Sequence, residues 1–167
     1  GDITLIPAML AWESGYWQYN AFLTVYAPSG GYEEGRLANP GLNYWTVDPT
    51  FGIAYNNEKN GFNAAINAGI TINSENPDTD YHSGSMFHLE ASVQQLLPLG
   101  PGFVGLGAEA FYLEQVTGDG GDGANLGDFQ GRTVGVGPVV TYLLPRGEQT
   151  FVGEVRWLPE IDTKRRL

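Results

Sequence analysis

The sequence predicts an all-β chain folded as an antiparallel up-and-down transmembrane β-barrel. Three observations predict it. Residues 62–72, FNAAINAGITI, alternate strictly, with Phe62, Ala64, Ile66, Ala68, Ile70 and Ile72 on one parity and Asn63, Ala65, Asn67, Gly69 and Thr71 on the other. The same alternation recurs in eight segments, and the connections between them run short, long, short, long. Successive side chains of a strand point to opposite faces, so each segment carries one oily wall and one wet wall. A barrel with lipid outside and water inside needs that pattern.

The eight segments lie at roughly 2–12, 16–27, 44–56, 62–73, 85–97, 102–116, 131–144 and 150–158. The first, ITLIPAMLAW, alternates poorly. In the second, Trp17, Tyr19, Ala21, Leu23 and Val25 oppose Gln18, Asn20 and Thr24. In the third, Val47, Phe51, Ile53 and Tyr55 oppose Thr46, Asp48, Thr50 and Gly52. The fifth sets Phe87, Leu89, Ala91 and Val93 against His88, Glu90, Ser92 and Gln94. The sixth sets Val104, Leu106, Ala108 and Ala110 against Gly105, Gly107 and Glu109. In the seventh Val134, Val136, Val140 and Tyr142 oppose Thr133, Gly135 and Thr141, and in the eighth Phe151, Val155 and Trp157 oppose Glu154 and Arg156. Each run matches the ~9–11 residues of a tilted membrane strand, and none reaches the ~18–20 apolar residues of a membrane helix. Parity places Ile66, Ala68, Ile70, Phe51, Ile53, Val134 and Val136 outward, and Asn67, Asp48, Thr50, Glu90 and Glu109 inward.

ESG, NNEKNG, the LPLGPG region and PRGEQ read as tight turns, whereas 28–43, 74–84 and 117–130 are long links. Outer-membrane barrels have short periplasmic turns and longer extracellular loops, which gives a bacterial outer-membrane location and an orientation. The pattern then starts and stops on the long-loop side. A complete bacterial barrel starts and stops in the periplasm. Residues 1–167 are therefore expected to form a single domain that is an internal stretch of a longer barrel of about ten to twelve strands. The tail EIDTKRRL is expected not to be a membrane strand.

The net charge of −11 argues against nucleic-acid binding, which requires a basic surface. Only eight Lys and Arg are present, three of them in the tail (Lys164, Arg165, Arg166), and cysteine is absent. Trp17, Tyr19, Trp45, Tyr55, Tyr112, Tyr142 and Trp157 lie near segment ends or on the apolar parity, as an interfacial girdle would. Ordinary β-propensity is the alternative account.

The stretches LANPGLNYWTVDPTFGIAY, NPDTDYHSGSMFHLE and LGDFQGRTVGVGPVVTY together resemble the family associated with the meta-pathway of phenol degradation. Its most specific pieces here are Asn39 to Tyr44, Asn76 to Gly84 with His88, and Gly127 to Gly131 with Gly137 and Pro138. The resemblance implies an outer-membrane channel, a transport role for hydrophobic or aromatic compounds, and a longer chain with strands on both sides of this stretch.

The polar parity carries Asp48, His88, Glu90, Glu109, Glu154 and Arg156. These residues read either as the lining of a hydrated, cation-leaning lumen or as paired charges filling a packed interior. Asp119, Asp122 and Asp128 sit in the Gly-rich loop TGDGGDGANLGD. Oxygen-rich loops can hold calcium, but the spacing is not that of an EF-hand, and a solvated acidic loop is the plainer reading. Glu75, Asp78 and Asp80 are treated alike, with Asp78 also able to cap a turn after Pro77. No motif sets a nucleophile beside His82 or His88, and Ser83 and Ser85 lack a GxSxG context. The sequence thus predicts no enzyme and no resident cofactor. The expected partners are membrane lipid and small hydrophobic or aromatic solutes. Two alternatives to a channel are a structural or surface-interaction barrel without transport and a soluble lipocalin-like barrel, which would put its apolar wall inside.

Overall fold

The computed structural model describes residues 1–125 and 127–165. Leu126, Arg166 and Leu167 lie outside the described residues, and with Arg166 one of the three tail cations. The strands are β1 (Ile3–Ser14), β2 (Trp17–Ala27), β3 (Thr46–Asn57), β4 (Phe62–Asn73), β5 (Met86–Leu99), β6 (Gly102–Gln115), β7 (Arg132–Arg146), β8 (Gln149–Arg156) and β9 (Glu160–Lys164). β1 to β8 pair antiparallel, each with its sequence neighbour, in a single sheet. The sheet is not closed: β1 and β8 are the two ends of the path.

The short connections follow from their glycines. Gly15, Gly100 and Gly147 each open a two-residue loop, with φ of 61°, 58° and 63°. A type II′ hairpin turn requires positive φ at that position, which glycine adopts without steric penalty. The longer turn 58–61 ends on Gly61, whose N–H donates to Asn57 O at 2.8 Å.

The weak alternation of the first segment has a local cause. β1 pairs with β2 through Ile3↔Ala27 and Leu5↔Val25, slips between Leu5 and Ala8, and resumes at Ala8↔Leu23. A bulge adds one residue and inverts parity. Ile3 and Leu5 before it thus share a face with Ala8, Leu10 and Trp12 after it.

The tail departs from expectation. Residues Glu160–Lys164 are not outside the pattern but form β9, which pairs with β7 above the stretch that β8 occupies. Val139↔Arg156 and Gly135↔Glu160 keep nearly one register, and Trp157–Pro159 make the jog between them. Val136 N donates to Pro159 O and Trp157 N to Pro138 O across it. β8 and β9 are therefore one broken eighth strand. Proline interrupts the ladder because it has no N–H to donate.

Register carries the two walls across the sheet. One row reads Trp12, Tyr19, Ile53, Ile66, Ala91, Ala110 and Val136 from β1 to β7. The next row reads Ala11, Asn20, Gly52, Asn67, Glu90, Phe111 and Gly135. The polar wall is the concave one, since Asn67 of β4 and Arg156 of β8 line one cavity despite lying four strands apart. Among the described residues no second layer covers the apolar wall: Phe51, Ile66 and Val155 are 48%, 48% and 76% exposed, and Val139 is the buried hydrophobic residue.

Candidate functional site

The concave wall is the candidate site, and three groups of side chains are built on it. In the first, Asp48 on β3 and His88 on β5 are separated by β4, where Gly69 pairs with Thr50 on one side and His88 on the other. His88 Nε2 lies 2.9 Å from Asp48 Oδ1, and Thr50 Oγ1 donates to the same oxygen at 3.3 Å. A methyl group on Gly69 would lie 2.5 Å from His88 Nε2 and 2.5 Å from Thr50 Oγ1. The missing Cβ is what lets the imidazole cross the strand. Asp48, Thr50 and Thr24 are all buried.

The second group joins β5 to β8. Arg156 Nη1 donates to Glu109 Oε2 at 3.1 Å, and Arg156 Nη2 lies 3.4 Å from Glu154 Oε1. Thr141 Oγ1 donates to Glu154 Oε2 at 3.3 Å and accepts from Gln94 Nε2 at 2.7 Å. Gln94 lies over Gly105, a second place where a glycine on this wall makes room for a neighbour.

The third group is a cavity of about 240 Å³ lined by Asn67, Glu90, Ser92, Glu109, Phe111 and Arg156, among others. Glu109 and Arg156 are paired there. Among the described residues Glu90 has no hydrogen-bond or ion-pair partner and is solvent-exposed.

Two of the three long loops fold inward over the loop end of this wall. Asn73, on the polar parity of β4, accepts from Thr46 Oγ1 at 2.7 Å and donates to Ser83 O and Gly84 O at 3.2 and 3.1 Å. Gln115, on the polar parity of β6, donates to Asp119 Oδ1 and Phe129 O at 2.6 and 2.8 Å. Asp119 Oδ1 also accepts from Gly84 N at 3.0 Å, and His82 pairs its backbone with Gly120. The loop before β3 joins them through Asn43, which donates to Asn76 Oδ1 and Asp78 Oδ2 at 3.0 and 2.9 Å. Burial, then a hydrogen bond to Asp119, pushes the Tyr81 hydroxyl up to about 12, and burial also raises Tyr44. At the start of the chain the backbone N–H groups of Leu42 and Gly30 hold the Asp2 carboxyl below its ordinary range.

Of the sequence candidates, Asp48 and His88 come together, as do Glu109, Glu154 and Arg156, while Glu90 stands apart. The acidic loop does not gather its carboxylates: Asp119 is engaged with Gly84 and Gln115, and Asp122 and Asp128 are exposed. Among the described residues no group of three or more His, Asp or Glu side chains is placed to hold a metal ion. Sequence reasoning did not single out Gly69 or Phe111. Register counting finds Gly69 between Thr50 and His88, and parity puts Phe111 on the wall of Glu109.

A family model described as "Putative MetA-pathway of phenol degradation" matches residues 1–167. No curated protein and no solved structure matches the chain.

Proposed function

The chain belongs to the phenol-degradation family whose model spans it, and on that premise we propose that it forms the wall of a bacterial outer-membrane channel passing hydrophobic or aromatic solutes. One observation carries the reading, the segregation of an exposed, continuous apolar face from a polar concave face. Apolar patches beyond a few hundred Å² mark membrane or protein contact. The aromatic residues sit where a bilayer interface would want them. Near the short turns Trp12 stacks on Tyr19 with ring centroids 5.6 Å apart, and Tyr55 meets Tyr16, Trp17 and Phe62 at 5.8, 5.1 and 6.1 Å. Lys59 Nζ lies 6.0 Å from the Tyr16 ring. Rings with one apolar and one polar end, flanked by a cation, favour the headgroup level.

The curvature supports this reading over a lipocalin-like barrel, whose apolar wall is the inner one. The reading also requires that the free edges of β1 and β8 be paired in the membrane, because lipid offers no hydrogen bonds to an open sheet edge. Further strands of a longer barrel would supply that pairing. The role is passage rather than catalysis.

Reconstitution of the purified protein in planar lipid bilayers tests the reading. Discrete conductance steps with a cation preference are expected, because the concave wall sets Asp48, Glu90, Glu109 and Glu154 against Arg156. Inserted protein that passes no current would favour a structural barrel.

A further inference from the structure

The loop end of the concave wall carries a small folded body of its own. At its centre is Asn76, 4% exposed although it lies in a loop. Asn76 Nδ2 donates to Leu42 O at 3.3 Å, and its Oδ1 accepts from Asn43 Nδ2 and Asp78 N, each at 3.0 Å. Its backbone N–H donates to Tyr81 O at 2.8 Å. A buried amide bonded at both ends belongs to packed structure, whereas most loops run exposed over a surface. Beside it, the segments before β5 and after β6 approach backbone to backbone. His82 and Gly120 exchange N–H···O bonds of 2.9 Å in both directions. A Cβ on Gly84 would run into Thr117 O, one on Gly121 into Asp80 O, and one on Gly123 into Thr79 O. Glycine permits that close approach because it has no side chain. These ties join the loops that follow β2, β4 and β6, so one body covers the ends of six strands. Asn73 and Gln115 anchor it from below, and both lie on the polar, concave parity. Bonds between loops that leave a curved sheet at separate strands run along the chord of the curve, so the body lies across the wet side.

We propose that this body is a fixed constriction at the mouth of the channel and sets the size of solute admitted, with Asp119, Gly84, Gly121 and Gly123 holding its aperture. The proposal rests on the channel reading and deepens it, because selection by size then falls on the loops and not on the strands. Passage through a pore depends on its diameter and on the groups that line it. Asp119 ties the two segments, since its Oδ1 accepts from both Gly84 N and Gln115 Nε2. Segments that open readily have few buried contacts and solvent-exposed backbone bonds. A lid hinged here would have to break the Asn76, His82 and Asp119 bonds together at each passage. A fixed aperture needs no such step.

Single-channel conductance in planar bilayers, read with neutral polyethylene glycols of graded size in the bath, measures the aperture. Polymers small enough to enter lower the current, and larger ones leave it unchanged. Asp119→Ala should raise the conductance and the excluded polymer mass about twofold as the pore widens. Asp119→Asn keeps an acceptor oxygen and should keep the parent values. Gly121→Ala pushes on Asp80 O without changing the charge of the body, and should act as Asp119→Ala does. His82→Cys with Gly120→Cys, oxidised to a disulfide, should leave conductance and size limit as in the parent, because the two backbones are already bonded there. A parent size limit in both Asp119→Ala and Gly121→Ala would overturn the proposal and leave the channel. Current lost on oxidation of the cysteine pair and regained on reduction would overturn it in favour of a lid that opens. No current from the parent or any variant would remove the channel reading and the constriction with it.

Discussion

His88 reaches across an entire strand to Asp48, its Nε2 2.9 Å from Oδ1, through the gap left by the missing side chain of Gly69. Alanine at position 69 would press on His88 and Thr50 together. Overpacking of this kind typically costs ~1–3 kcal/mol, and Gly69→Ala should lower stability by that order in urea titrations of the reconstituted protein. In a His88→Ala background the same substitution should cost measurably less, since the clashing ring is gone. Equal costs in both backgrounds would show that the pair is not what the glycine serves.

Arg156 is the cation shared by Glu109 and Glu154. Its side chain is 57% exposed, so the pairs contribute little to stability, on the order of 0–1 kcal/mol. Their larger effect is on the field inside the wall. Arg156→Gln should leave stability nearly unchanged and shift the bilayer reversal potential toward stronger cation selectivity. An unchanged reversal potential would remove this group from the conduction path.

Asp119 ties the loop that follows β6 to Gly84 in the loop that precedes β5. Asp119→Ala should release both segments, seen as faster proteolysis within 74–85 and 116–131 while the strands stay protected. Cleavage no faster than in the parent would mean that the inward fold of these loops does not depend on this carboxylate.

Tyr81 gives a spectroscopic reading of the same region. Its hydroxyl is raised from 10.0 to about 12, first by burial and then by Asp119. The folded state therefore keeps the proton longer than the unfolded state. The stabilisation is fully present below pH 10 and is lost as pH rises toward 12. Phenolate absorbance should show a late step that Tyr81→Phe reduces. Asp119→Asn should lower that step only in part, because burial, the larger cause, remains. A single tyrosine transition near pH 10 would contradict this.

Most of the fold could be read from parity. Phe51, Ile53, Ile66 and Val136 fall on one wall and Asp48, Asn67 and Glu109 on the other because strand periodicity leaves no alternative once the turns are set by Gly15, Gly61, Gly100 and Gly147. Two features were not legible for local reasons. The bulge between Leu5 and Ala8 inverts the code of β1, so counting by two fails there. The Trp157–Pro159 jog hides the continuity of β8 into β9, whose sequence, Glu160–Lys164, is polar throughout apart from Ile161. The site was partly legible. Parity put Asp48, His88, Glu109, Glu154 and Arg156 on one wall, but their partners depend on register across two or more strands. In the acidic loop, where composition left a solvated loop as the plainer reading beside a cation site, Asp119 is taken up by Gly84 N and Gln115, a pairing set by tertiary contact that composition does not show.

The central claim is that the apolar wall faces lipid and the polar wall faces water, and the absence of cysteine allows a direct measurement. Single cysteines placed at 63 through 68 on β4 can be labelled with a membrane-impermeant maleimide after reconstitution in vesicles. Strict alternation is expected, with Asn63→Cys, Ala65→Cys and Asn67→Cys reacting and Ala64→Cys, Ile66→Cys and Ala68→Cys protected. Uniform labelling, or labelling of the even positions alone, would contradict the membrane-barrel account.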